Sequence, residues 1–580
     1  MSDRAKSGLA WLRGYPRGAL RSDLAAGITT AVVMVPQAMA YAMLAGLPPI
    51  VGLYAALAAS SVYPWLGTSR QLSVGPVAMD SLITASAVSA IAQSGTTEYA
   101  TCATTLAVMV GLLQLGLGAL RAGFVVNFLS RPVVSGFTSA AAIIIATSQL
   151  GELVRLKLPR THQVYQVWGA ALSDAASWHG LTLAFGLGAF FLLKLLPKLT
   201  RRVPASLMVM IAAIALSQLF SLDRHGMRLV GVVPSGLPSL GLPSLDLALM
   251  GTLWPSALTI ALISYMETIT TGTAFARKHR YELSPNRELL AVGAANLASA
   301  AVAGYPVAGG LSRSAVNERA GAQTPLASLI SSAIIALSLV LLTPLFTALP
   351  RAALSAVVLN AVLTLVDLET PKTLLRVKRS DLALLMLTFA STLSFGISQG
   401  ILIGVTASLV WFSVRTTRPH YARLGQIPGT QAYLNLARHE SAVQVPGVLI
   451  VRMDAQLYFG NVSFLRETLR KLEDQADSPL GAIVLDASGV NQLDSSALDA
   501  ILELDRDYKQ REIRLLFARV KGPVRDVMER AGLLKTLRSE QRIFTRTHDA
   551  AECARAYLTS RTAPCVVACG DLSERSGASD

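Results

Sequence analysis

The chain has 580 residues, of which 52% are hydrophobic and 15% are charged, a composition that excludes an average globular protein. The net charge of +15 raises the possibility of a nucleic-acid partner, but the positions of the basic residues indicate membrane topology instead. The four cysteines form no metal-ligand pattern with the histidines, and no cofactor is expected.

Apolar runs of spanning length follow one another from about residue 23 to residue 418. We predict fourteen spans, at 24–45, 50–66, 74–93, 101–120, 132–150, 181–197, 204–221, 253–274, 288–304, 309–320, 325–349, 353–368, 380–398 and 399–416. With a cytoplasmic N-terminus, the inner loops and the N-terminal arm hold 24 Lys and Arg, whereas the outer loops hold six. This asymmetry follows the positive-inside rule. We therefore expect an integral protein of the bacterial inner membrane, in contact with lipid and not with nucleic acid, and with both termini cytoplasmic.

The first span carries two polar residues, Gln37 and Tyr41, in an otherwise apolar stretch. Because they lie four residues apart, they share one helix face. Both side chains can donate a hydrogen bond to an oxyanion. The alternative is that Gln37 only joins neighbouring helices.

The third span is entered through a short segment that contains Gly75 and Pro76, so its first part is expected to be extended. Asp80 follows as an acid inside the membrane. It either stabilises the N-terminus of the helix from its first turn or takes part in ion coupling.

The eighth span contains Glu267, the only charged residue between Trp254 and Arg277. A carboxylate this deep in the hydrocarbon is costly, and burial favours its neutral form, which suits a proton carrier. Two other interpretations remain open. Glu267 and Thr271 share a helix face that suits sodium, and Glu267 and Arg313 are alternatively a structural ion pair.

Residues 304–321, around the tenth span, are too polar and too rich in glycine to cross a bilayer as one helix. Pro306 and the glycines around it predict extended chain, followed by a short helix that starts near Gly310–Arg313. A helix N-terminus offers free N–H donors and partial positive charge, to which Arg313 adds a full charge. The alternative is a kinked helix from which Arg313 reaches the surface.

Fourteen spans suggest two halves of seven, and the third and tenth spans occupy the same place in each half. Because seven is odd, the halves have opposite orientation, as in inverted-repeat transporters. The two half-helix N-termini are then expected to meet near the membrane midplane. Such a pocket suits an anion.

Several separated motifs resemble the sulfate permease (SulP) family. They are residues 35–42 (VPQAMAYA), 44–49 (LAGLPP), 52–54 (GLY), 67–70 (GTSR), 74–78 (VGPVA) and 311–317 (LSRSAVN). The resemblance implies a core and a gate domain, an elevator-type motion, a homodimer and an anion pocket formed by spans 1, 3, 8 and 10. Gln37 and Tyr41 would then contact the anion, as would the starts of the third and tenth spans, at Val77, Ala78, Leu311, Ser312 and Arg313. Similar proteins often have a serine where Gly310 stands, which would leave more of the contact to backbone donors here.

The C-terminal part alternates apolar strands, at 447–453, 482–486 and 513–517, with helices at 463–472, 495–508 and 523–531. Its motifs at 458–461, 485–488 and 493–498 resemble a STAS domain. In relatives a serine of the Asp-Ser-Ser motif is phosphorylated, so Ser495 is a regulatory candidate, although a helix-capping role is favoured. The predicted regions are an N-terminal arm (1–22), a membrane domain (23–418), a linker (419–445), the STAS domain (446–559) and a disordered tail (560–580).

The function that these features favour is proton-coupled sulfate symport. Sodium-coupled bicarbonate or dicarboxylate transport and an uncoupled channel are alternatives in the same class. A membrane receptor that signals through its STAS domain is the alternative from a different class. No enzyme activity is expected, because no His or Cys lies in the membrane core as a nucleophile or metal ligand.

Overall fold

The computed structural model describes residue 11 and residues 15–124, 130–159, 163–199, 204–231, 234–241, 246–476 and 478–559. The chain divides into two compact units between Ser408 and Leu409. The predicted tail, 560–580, lies outside the described residues, as does most of the predicted N-terminal arm.

The first unit is helical apart from two very short strands. Its elements are α1 (Leu20–Leu44), α2 (Pro49–Leu66), β1 (Val74–Gly75), α3 (Ala78–Ser89), α4 (Thr97–Ala119), α5 (Arg131–Ser148), α6 (Leu150–Val154), α7 (Val164–Ser173), α8 (Gly180–Leu199), α9 (Ala205–Leu219), α10 (Leu247–Lys278), α11 (Pro285–Ala301), β2 (Ala308–Gly309), α12 (Leu311–Arg319), α13 (Leu326–Leu341), α14 (Thr343–Phe346), α15 (Arg351–Val362), α16 (Glu369–Val377), α17 (Arg379–Phe395) and α18 (Ile397–Thr417).

Each predicted span overlaps one of these helices. Within the described residues, eight helices are long and apolar enough to cross a membrane, and α9 and α13 are shorter apolar helices. The half-helices α3 and α12 are too short to cross alone, because a residue adds only about 1.5 Å of helix. The count of fourteen crossings therefore stays a prediction. Two helices, α7 and α16, were not predicted, since neither has an apolar run of spanning length.

Helix packing repeats between the two halves of this unit. The pair α4–α11 has its counterpart in α2–α13, α1–α13 in α4–α10, α5–α17 in α8–α15, and α1–α12 in α3–α10. In each case, the counterpart of a helix is the helix of the span seven places earlier or later in the predicted order. For example, α4 and α11 are spans 4 and 9, and their counterparts α13 and α2 are spans 11 and 2. This is the packing expected of two repeats, with spans 1–4 and 8–11 forming a core and the remaining spans a gate.

The second unit is a six-stranded sheet with helices. Its elements are β3 (Tyr421–Gln426), β4 (Tyr433–Asn435), β5 (Val448–Met453), α19 (Val462–Asp474), β6 (Ala482–Asp486), α20 (Ser495–Gln510), β7 (Arg514–Ala518), α21 (Gly522–Arg530), α22 (Leu533–Ser539), β8 (Ile543–Phe544) and α23 (Thr547–Thr559). The strand order is β4-β3-β5-β6-β7-β8, with β5 to β8 parallel and β3 antiparallel to both of its neighbours. The predicted fold class, a polytopic helical protein with a small α/β domain, is confirmed.

The segment predicted as a linker, 419–445, differs from that expectation, because it supplies β3 and β4 to the sheet. Strand β3 alternates half-buried and buried residues, with Ala422 and Leu424 in the core. Arg423 between them, and the buried Gly425 and half-buried Gln426 after them, hide this pattern from a hydropathy profile. The sheet of the second unit therefore begins about 25 residues before the predicted boundary at 446.

Two acidic residues stabilise this unit locally. Asp494, not Ser495, caps α20, because its side chain accepts a hydrogen bond from the backbone N–H of Ala497 (2.8 Å). Ser495 is instead the exposed first residue of the helix, so the predicted capping role is corrected.

The pKa of Asp454 is set by two opposing effects. Burial alone would raise this pKa, but hydrogen bonds from Arg452 and His420 outweigh burial and hold the pKa below its usual range.

Candidate anion-binding site

The two broken spans meet through their extended segments. Strands β1 and β2 pair antiparallel, with Val74 opposite Gly309 and Gly75 opposite Ala308. The N–H of Gly310 also donates to the carbonyl of Ser73 at 3.0 Å. The two extended segments thus hydrogen-bond each other's backbone N–H and C=O groups at the point where neither segment is helical. Non-helical backbone is tolerated inside a membrane when its polar groups are paired in this way.

We call the place where β1 and β2 pair the β1–β2 crossing. Helices α3 and α12 begin directly after it. Their first intrahelical hydrogen bonds come from the N–H groups of Ser81, to Val77 (3.1 Å), and of Ser314, to Gly310 (3.0 Å). Neither helix has a side-chain cap among the described residues. The three N–H groups at each start, at 78–80 and 311–313, therefore have no intrahelical partner, an arrangement that suits an anion.

Arg313 lies buried beside the crossing, with 1% of its side chain exposed. Its Nη1 donates to the carbonyl of Pro76 at 2.5 Å, whereas Nε and Nη2 have no partner within the described residues. A Cβ atom at position 310 would lie 2.9 Å from Nη2 of Arg313, so the absence of a side chain at Gly310 avoids a steric clash with the guanidinium group. The alternative in which Arg313 reaches the surface does not agree with this burial.

Glu267 on α10 and Tyr41 on α1 lie within electrostatic range of Arg313 and of each other. Glu267 is half-buried and Tyr41 is buried. No salt bridge joins Glu267 to Arg313, although the structure describes both residues, so the structural ion pair is not formed. One turn before Tyr41, the buried Gln37 makes no side-chain hydrogen bond to the described chain.

The remaining predicted residues divide into buried and exposed ones. Val77 and Ala78 are buried, and Ala78 packs in the same apolar cluster as Tyr41. Leu311 and Ser312 are exposed at the start of α12, where their backbone N–H groups have no intrahelical partner. Thr271 is buried one turn after Glu267. Asp80 is fully buried in the first turn of α3, within electrostatic range of Glu267.

Side chains that the sequence analysis did not single out hold the extended segments in place. Thr268 accepts from the N–H of Gly309 (2.9 Å), and Asn296 binds both backbone groups of Val307 (2.9 and 3.0 Å). Tyr305 is fully buried, and its hydroxyl lies 3.2 Å from that of Ser81. The available signal for Tyr305 was its place in the Gly-Tyr-Pro segment, where an aromatic residue with a polar end stands in extended chain.

Comparisons with known proteins identify the family of the chain. Residues 20–388 match the model of the sulfate permease family, and residues 440–550 match that of the STAS domain. The chain is 36% identical over 569 residues to the chloroplastic sulfate transporter 4.1 of Arabidopsis thaliana, covering 95% of this chain and 82% of that protein. It is 35% identical over 537 residues to a probable sulfate transporter of Mycobacterium tuberculosis, covering 93% of this chain and 96% of that protein.

Two solved structures have a similar fold. The murine solute carrier 26 family member A9 anion transporter, in its inward-facing state, aligns with a TM-score of 0.88 at 24% identity, covering 95% of this chain and 94% of that one. The transmembrane domain of a cyanobacterium bicarbonate transporter aligns with a TM-score of 0.59 at 21% identity, covering 68% of this chain and 98% of that one.

Proposed function

Because the chain belongs to the sulfate permease family, and is therefore a membrane transporter and not an enzyme, we propose that it carries sulfate into the cell together with protons. The observation that carries the proposal is the buried Arg313. Within the residues that the structure describes, two of its nitrogen atoms have no protein partner, and the two helix N-termini beside it have no side-chain cap. A buried guanidinium with only one of its three nitrogen atoms hydrogen-bonded is costly unless an anion pairs with the others.

Glu267 is the proton carrier in this proposal. It is near Arg313 without being paired to it, so its charge adds to the repulsion that a bound dianion meets. A proton on Glu267 removes that repulsion, and release of both ions together gives symport. The membrane environment favours the neutral acid whenever the site is closed to water.

The motion we propose is of the elevator type. The elements that form the site belong to the core set of helices, and the gate set packs mainly within itself through α5–α17, α8–α15 and α8–α9. The protein acts as a homodimer in the bacterial inner membrane with both termini cytoplasmic, in line with its loop charges.

One alternative has an observation of its own. Glu267 and Thr271 lie one turn apart on α10, an arrangement that suits a sodium ion and would couple transport of bicarbonate or a dicarboxylate to sodium. An uncoupled channel has no use for an intramembrane acid beside the site. A STAS-linked receptor needs no coupling ion, and the named relatives are transporters.

The test is uptake of labelled anions into proteoliposomes under an imposed proton or sodium gradient. We expect an inward proton gradient to drive sulfate above equilibrium. Glu267→Gln should abolish that stimulation and leave sulfate exchange intact. Uptake of bicarbonate driven by sodium, with no sulfate uptake at any pH, would refute the proposal.

A further inference from the structure

Asp80 is a buried acid that the proposed mechanism does not use. It is the third residue of α3 and has no exposed surface. Neither of its carboxyl oxygens has a hydrogen-bond partner in the part of the chain that the structure describes, and neither has the hydroxyl of Thr84, one turn further along the helix. Three buried oxygen atoms are thus left unsatisfied on one face of α3, which is unusual enough in a native structure to need a cause.

The surroundings of Asp80 do not neutralise it. Two titratable side chains, Glu267 on α10 and Tyr305, lie close enough to interact with the charge of Asp80. Arg313 and Tyr41 on α1 lie close to these two in turn. The other helices packed on α3, namely α4 and α5, each carry one charged residue, Glu98 and Arg131, both exposed and at the helix ends. Arg313 is the only cation among these side chains. Its one hydrogen bond within the described residues is from Nη1 to the backbone carbonyl of Pro76, and not to Asp80.

An ionised carboxylate without a partner is strongly disfavoured in such a place, so Asp80 holds a proton in this arrangement. Its position in the first turn of α3 acts in the opposite direction, because the helix N-terminus favours a negative charge. The two influences oppose each other, which is the property of a group that binds and releases a proton as its access to water changes.

We propose that Asp80 is a second proton-carrying site, so that each sulfate moves with two protons. The inference rests on the proposed proton-coupled sulfate transport. In the loaded state both Asp80 and Glu267 are neutral, and Arg313 faces the dianion without competition. On release, each carboxyl group gives its proton to water and becomes ionised. Two protons and one dianion carry no net charge, so transport is electroneutral.

Sulfate accumulation by proteoliposomes, at equal pH on both sides and under potassium-set membrane potentials, tests this inference. The wild type should accumulate sulfate to the same level at every potential. Asp80→Asn should carry one proton per sulfate and therefore one net negative charge. An inside-positive potential of 59 mV should then raise its accumulation about tenfold. Asp80→Glu, which keeps a carboxyl group, should behave as the wild type does.

The outcomes separate this inference from the proposed function. Asp80→Asn that stays insensitive to potential would mean that Asp80 never releases its proton, and the inference fails alone. If that variant does not fold, a wild type that carries one proton per sulfate, counted with a pH-sensitive dye, overturns the inference equally. A wild type without any proton-coupled sulfate uptake overturns the proposed function and this inference together.

Discussion

Replacing Arg313 by methionine removes the charge from the proposed anion site and keeps a side chain of similar length. One nitrogen, Nη1, is committed to the carbonyl of Pro76, which leaves Nε and Nη2 for the anion. A hydrogen bond to a charged group contributes about 1.5–3 kcal/mol, so two contribute about 3–6 kcal/mol. At about 1.4 kcal/mol per tenfold change, the KM for sulfate should rise by about 10²- to 10⁴-fold.

The assay is the concentration dependence of labelled sulfate uptake into proteoliposomes. Arg319→Met is the matched control, because Arg319 is exposed at the other end of the same helix, and its KM should equal that of the wild type. Arg313→Lys keeps the charge but loses the forked geometry, and should fall between the two. An unchanged KM in a folded Arg313→Met protein would refute direct contact between Arg313 and the anion.

Three further predictions concern the scaffold. Gly52→Ala should lower the melting temperature of the detergent-solubilised protein, because the new Cβ would lie 1.9 Å from a backbone oxygen of α1, whereas Gly188→Ala, with open space around it, should not. Asp494→Ala should destabilise the second unit in urea by about 0.5–2 kcal/mol through loss of the helix cap, and Ser495→Ala should leave its stability unchanged. The pKa of Asp454 is lower in the folded than in the unfolded state, so its contribution is complete above the unfolded value of about 3.9 and is lost as the pH falls through the folded value. Urea unfolding of residues 418–580, which exclude the last span, should therefore show falling stability below about pH 4. Removal of the two basic partners of Asp454 should reduce that slope.

Much of the site follows from local chemistry that a sequence displays. The helix breakers Gly75, Pro76 and Pro306 interrupt their spans whatever the tertiary packing around them. The short helices begin after these helix-breaking segments end. Glu267 and Arg313 are conspicuous because charges are rare in apolar spans. These features locate three helices of the site, α3, α10 and α12, without any knowledge of how the helices pack.

Other features depend on partners that are distant in sequence. The sequence does not show where the two prolines lie relative to the paired strands: Pro76 follows β1, whereas Pro306 precedes β2. The pairing of β1 with β2 joins segments that lie far apart in the sequence, so neither segment alone could predict it. In the second unit, β3 is recognisable through its pairing with β4 and β5, because its own residues alternate weakly.

The central claim is that the anion lies between the starts of α3 and α12. Selenate has the charge and shape of sulfate, and its selenium atom is located directly by anomalous X-ray scattering from crystals of the complex. We expect a single strong peak within hydrogen-bond range of Nε and Nη2 of Arg313 and of the N–H groups at 78–80 and 311–313. A peak bound elsewhere, with this crossing empty at saturating selenate, would contradict it.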